Sequence, residues 1–174
     1  PRIDHETLKK YSRGIIALSA CLAGEIQAFL LENNYDEALR RAFLYKDIFG
    51  ENNFFLELQD HGMEEQKTVN ESLFKISRET GLRLVATNDV HYINKEDAYF
   101  HDVLLCIQTQ KTITDEDRMR FPSDEFYLKS REEMAELFPP EALENTGEIA
   151  DRCNVDLDFN TVHLPEFKVP EGYD

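Results

Sequence analysis

Three short stretches could do metal or phosphate chemistry: Ser19-Ala20-Cys21, Gln59-Asp60-His61-Gly62 and Asn88-Asp89-Val90-His91. Asp89 and His91 form a D-x-H pair. On extended backbone residues i and i+2 point the same way, so a carboxylate and an imidazole can address one ion together. As a bare pattern the pair is weak, since Asp-x-His at a strand end is more often a hydrogen-bonded turn. Cys21 alone reads as a small core residue, and His61 before Gly62 reads equally as a solvated turn histidine.

Position gives these groups their weight. The apolar, β-branched or aromatic runs 15–18, 54–58 and 82–87 read as buried strands, and each chemical stretch follows one of them. Helical spacing between the runs predicts a short helix over 24–31. A second is expected over 35–49, with Ala38, Leu39, Ala42, Phe43 and Phe49 recurring and Gly50 as its stop. A third is expected over 64–80, with Val69, Leu73 and Ile76 on one face and Gly81 as its stop. Alternating strands and helices argue for an α/β layout with parallel strands, open sheet or barrel. In such folds ligand sites lie at the carboxyl ends of the strands. Three strand ends in succession that deliver candidate donors are the strongest signal the residues carry by themselves.

Beyond His91 the pattern turns mainly helical. The stretch 96–107 carries Tyr99, Phe100, Val103, Leu104 and Ile107 at helical spacing, and Ser130 with Glu133 forms a capping box. Pro139-Pro140 breaks the chain before a last helix over 141–153. The tail 156–174 holds Pro165, Pro170 and Gly172 with little periodicity and reads as a linker. His101 inside its helix reads as structural, and His5 and His163 have no neighbours in sequence that suggest chemistry.

Composition narrows the function classes. In 174 residues, 35 Asp and Glu against 19 Lys and Arg give a formal net charge of −16. Such a surface repels phosphate backbones, so this chain is not expected to grip DNA by itself. Dense acidic runs such as Asp115-Glu116-Asp117 read as solvated surface. No apolar run approaches the ~20 residues of a membrane helix. Cys21, Cys106 and Cys153 are widely spaced without a C-x-x-C pair, which suits a reducing cytosol better than a disulfide framework. The opening Pro1-Arg2-Ile3-Asp4-His5 shows no signal-peptide pattern and reads as processed or cut from something longer.

Longer strings around these residues resemble a known family. Leu18-Ser19-Ala20-Cys21-Leu22, the run from Phe54 to Gly62 and the run from Val85 to Tyr92 are similar to the PHP domain of the bacterial DNA polymerase III alpha-subunit family. The stretch from Asp97 through Asp102 to Thr112, and Leu164-Pro165-Glu166-Phe167, look like the same family. The resemblance implies an α/β fold that is part of a distorted PHP-type (β/α)7 barrel, lacking the first strands and ending in a mainly helical part. Residues 1–157 would be the C-terminal portion of that domain, and 158–174 a linker toward a polymerase palm. Cys21, Asp89 and His91 are implied as metal ligands, with His61, Asp60 and Asn88 near the site. The implied cofactor is a divalent metal, Zn2+, Mn2+ or Mg2+, serving a 3′–5′ proofreading phosphodiesterase. Most of the ligand set, beginning with a H-x-H, is expected upstream of Pro1, so the site here would be incomplete and this piece inactive alone.

The implied partners are the other domains of a cytoplasmic replicative polymerase, its replicase assembly and a proofreading exonuclease subunit. DNA would be reached through the parent protein. Two other readings compete: a scaffold module that supports the palm and docks that exonuclease subunit, and a free-standing PHP phosphatase. If the first strands are missing, an open sheet edge and an uncovered apolar face should make this chain self-associate. Light scattering at rising concentration is expected to show dimers or larger species, and a clean monomer at high concentration would contradict it.

Overall fold

The computed structural model describes residues 2–162 together with Leu164, Lys168, Val169 and Gly172. His163 and about half of the expected linker 158–174 therefore lie outside the described residues, and the part of that linker which is described holds no helix or strand.

Three strands form where the apolar runs were: β1 (Ala17–Leu18), β2 (Phe54–Leu58) and β3 (Arg83–Ala86). They pair parallel in the order β1-β2-β3, with Leu18 opposite Phe55 and Leu58 opposite Ala86. Their carboxyl ends therefore lie side by side, as the α/β reading requires. β1 is shorter than expected, and a preceding helix α1 (His5–Tyr11) was not legible in the pattern. It spans barely two turns, too short for periodicity to register, and is started by Asp4, whose carboxylate accepts the Thr7 N–H at 2.8 Å.

The helices between the strands sit close to their expected bounds: α2 (Glu25–Leu31), α3 (Tyr35–Phe49) and α4 (Glu64–Thr80). Gly81 ends α4 in the left-handed conformation at φ +73°, which a side chain would strain. Phe54, Leu56 and Leu58 point to one side of β2 by strand alternation, and join Ile26, Leu30, Ala38, Ala42, Leu73 and Ile76 in one buried core. Phe43, expected inside, is instead exposed on α3.

After β3 the chain runs through a 3-10 turn at Lys95–Asp97 into α5 (Ala98–Thr109), then irregularly to α6 (Arg131–Leu137) and α7 (Pro140–Arg152). The capping box is present, with Ser130 and Glu133 each accepting the other's backbone N–H. α5 forms where the spacing placed it, but its apolar stripe is open. The apolar face of Tyr99, Phe100, Leu104 and Ile107 is 61–69% exposed, while the helix buries Leu105 and Cys106. Spacing reveals that a helix has an apolar stripe but not whether anything covers it.

α7 does an unexpected job at β3. Asn145, almost fully buried, donates from Nδ2 to the Leu84 carbonyl at 2.7 Å, and Thr146 Oγ1 donates to the Ala86 carbonyl at 3.2 Å. Arg83 donates to Glu148 at 2.7 Å and to the Asn145 side-chain oxygen, locking helix to strand. Strand carbonyls that a further strand would satisfy are met by helix side chains. Asn145→Ala strips these partners from a buried carbonyl and a half-buried guanidinium, and is expected to cost about 2 kcal/mol. Urea denaturation should show a lower midpoint at unchanged slope.

Candidate metal-binding groove

Cys21 reaches the surface through a turn that needs glycine. A Cβ on Gly24 would sit 2.2 Å from the Ser19 carbonyl and 2.7 Å from Gln27 Oε1. Gln27 in turn donates from Nε2 to Ser19 Oγ at 2.7 Å and to the Ala20 carbonyl at 2.8 Å. Ala20 is held at φ +67°, and the thiol that follows is exposed, not the small core residue that one reading allowed.

Glu57 ties the three strand ends together. Its carboxylate accepts the Ala20 N–H from the turn after β1 at 3.1 Å, the Gln59 amide at 3.2 Å and the Thr87 hydroxyl beyond β3. In sequence it is one polar residue within an apolar strand, and that break was the available signal for it.

His61 is completely buried, which excludes the solvated-turn reading. Its Nε2 lies 2.9 Å from the Asn88 carbonyl, an acceptor only, so Nε2 carries the proton. Its Nδ1 then accepts from Gln66 Nε2 at 2.8 Å, while Gln66 Oε1 accepts the His61 N–H at 2.7 Å. With both nitrogens engaged and its ring stacked on Phe126 (centroids 3.9 Å apart), His61 has no lone pair to give a metal. Asp60 accepts the Gly62 N–H at 2.8 Å and shapes the same loop, and Asn88 donates its amide to the Tyr127 carbonyl. All three near-site residues position the loops.

His91 is built the opposite way. Its Nδ1 lies 2.7 Å from the Asp89 carbonyl, so Nδ1–H donates there and Nε2 keeps a free lone pair. This is how ligating histidines are commonly oriented. Asp89 sits at φ +47°, a conformation that Asp tolerates better than most residues, and its Oδ1 lies 4.0 Å from His91 Nδ1. The loop is held from outside by a segment some 30 residues on. His91 N–H donates to the Phe126 carbonyl at 2.8 Å, Leu128 N–H to the Tyr92 carbonyl at 3.1 Å, and Ser123 Oγ to the His61 carbonyl at 2.8 Å. Phe121 and Phe126 meet the His91 ring edge-on, at 4.6 and 5.6 Å.

Cys21, Asp89 and His91 line one groove of about 360 Å³, which Arg120, Phe121 and Phe126 complete. The three residues expected as donors thus border one groove. A thiol, a carboxylate and an imidazole are donor types that suit a divalent ion, zinc above all. Among the described residues, however, no three His, Cys, Asp or Glu side chains stand close enough together to hold an ion between them. The segment 118–128, which closes the groove, was missed in the sequence because it has no periodicity. His101 approaches His91 with ring centroids 5.6 Å apart, and burial pushes its pKa down. Asp102 pairs with Arg118, whose hydrogen bonds hold the carboxyl below its usual range. His5, without evident partners in sequence, meets Glu25 at 2.9 Å.

Comparison with known proteins adds two findings. A family model described as "PHP domain" matches residues 1–61. The chain is also 48% identical over 180 residues to the DNA polymerase III subunit alpha of Thermus aquaticus, 45% over 180 residues to that of Deinococcus radiodurans and 47% over 173 residues to that of Borreliella burgdorferi. These alignments cover 98–99% of this chain and 13–15% of each relative.

His61→Phe keeps the stack on Phe126 but orphans the Asn88 carbonyl and the Gln66 amide. We expect about 2 kcal/mol or more of destabilisation, measured by chemical denaturation. The Asp89–His91 loop should also lose amide-exchange protection at His91 and Leu128, and unchanged protection there would contradict this role.

Proposed function

The chain belongs to the bacterial DNA polymerase III alpha-subunit family, and from that premise we propose that its groove supplies Cys21, Asp89 and His91 as divalent-metal ligands to a phosphodiesterase site of a replicative DNA polymerase. The observation that carries the reading is the contrast between the two histidines that follow β2 and β3. His61 is locked at both nitrogens, whereas His91 is oriented by one and offers the other to the groove.

The chain spans 13–15% of its relatives' length, and further donors would come from other parts of the parent protein. When bound, zinc, manganese or magnesium would polarise a phosphodiester and lower the pKa of a water. The residues here do the positioning. Gly24, Gln27 and Glu57 set the Cys21 turn, while His61, Asn88 and the segment 121–128 set Asp89 and His91. The acidic surface gives DNA no purchase, so the parent's other domains would deliver the 3′ end. Polymerisation itself, as a DNA-directed DNA polymerase working in the cytoplasm, is proposed for the parent chain. No helix among the described residues is long and apolar enough to cross a membrane.

A second reading is favoured by the exposed apolar face of α5. On it, the region is a scaffold that supports the palm and docks a separate proofreading exonuclease subunit within the replicase. The test uses the full-length polymerase with Cys21→Ala, Asp89→Ala and His91→Ala. Metal per chain, by mass spectrometry, and removal of 3′ ends from primed DNA with manganese or zinc should both fall, the latter about 100-fold or more, with polymerisation retained. If metal content is unmoved, no 3′ end is degraded, and Asp89→Ala alters only stability, the scaffold reading stands instead.

A further inference from the structure

The groove of Cys21, Asp89 and His91 lies on a chain of formal net charge −16, which repels phosphate at a distance. Among the described residues that line it, Arg120 is the one permanent cation. Its backbone is fixed on both sides. Two residues earlier, the Arg118 side chain is 5% exposed and grips both carboxylate oxygens of Asp102 on α5. One residue later, the Phe121 ring rests 4.6 Å from the His91 ring. Arg118 is therefore committed to the fold, and Arg120 is carried to the groove between two anchors.

Arg120 itself is lightly engaged. Its Nη2 donates to the Asp115 carbonyl at 3.1 Å, and among the described residues it forms no ion pair. Most of its donor fork remains available. A guanidinium fork matches two oxygens of a phosphate, with planar and charge-assisted hydrogen bonds. We infer that Arg120 binds the substrate phosphate in this groove, and that the ligand class is a nucleoside monophosphate or the terminal phosphodiester of a strand. Arg120 is a substrate-positioning residue beside the three metal donors. The inference rests on the phosphodiesterase reading of the groove and adds the group that seats the anion.

The full-length polymerase, labelled with 13C at the methionine methyls, supplies a local readout, because Met63 and Met119 line the same groove. Their signals are assigned by Met63→Leu and Met119→Leu. The probe is thymidine monophosphate, and metal content is measured on every sample. Titration is expected to shift both methyl signals. The midpoint should rise about tenfold or more in Arg120→Gln, about 1.4 kcal/mol, with partial recovery in Arg120→Lys and unchanged metal content. The unliganded methyl spectrum of Arg120→Gln should match the parent, which shows that the groove is intact. Wild-type signals that do not move, or a midpoint that is the same in Arg120→Gln, would overturn the inference. The phosphodiesterase reading fails separately, through metal content that ignores Asp89→Ala.

Discussion

A fully buried imidazole just beyond β2 is the constraint on which the groove depends. His61 joins three parts of the chain that are distant in sequence: its own loop and α4 through Gln66, the loop after β3 through the Asn88 carbonyl, and the segment 121–128 through Phe126 and Ser123. Burial raises the stakes of each bond, because a polar group left unpaired in a dry interior costs far more than a surface one. One nitrogen donates to a carbonyl while the other accepts from an amide, which fixes the tautomer. This fixed tautomer sets where Asn88, Asp89 and His91 begin. The groove's geometry is thus inherited from a residue that does not itself line it.

Glu57 plays the matching role on the other side. A carboxylate half-buried at the end of a strand would be costly without donors, and it has three, one from each strand end. The result is a rigid polar seam running across the carboxyl edge of a parallel sheet. Cys21, Asp89 and His91 stand beyond that seam, exposed. Rigidity beneath and accessibility above is the division of labour expected of a preorganised site.

The rest of the fold shows the same economy. Asn145 and Thr146 replace a missing strand at the β3 carbonyls, so the sheet edge is satisfied without extending the sheet. The apolar face of α5 is left open. An open apolar helix face of this extent is the kind of surface that marks a docking site.

The sequence by itself was enough to locate β2, α3 and α4 to the residue, because each is long or strongly patterned and closed by a glycine or a cap. It also pointed to the strand ends where Cys21, Asp89 and His91 border one groove, because parallel strands put their loops at one end. It did not reveal that His61 is locked and His91 free. Both are histidines at strand ends, and the difference lies in partners 5, 27 and 35 positions away. It did not reveal that the α5 stripe is uncovered or that 118–128 closes the groove, since periodicity reports what a face is made of and an irregular segment has no period. Local patterns fix local structure; which surface meets which, and therefore which nitrogen is left for a ligand, was decided only when distant segments packed together.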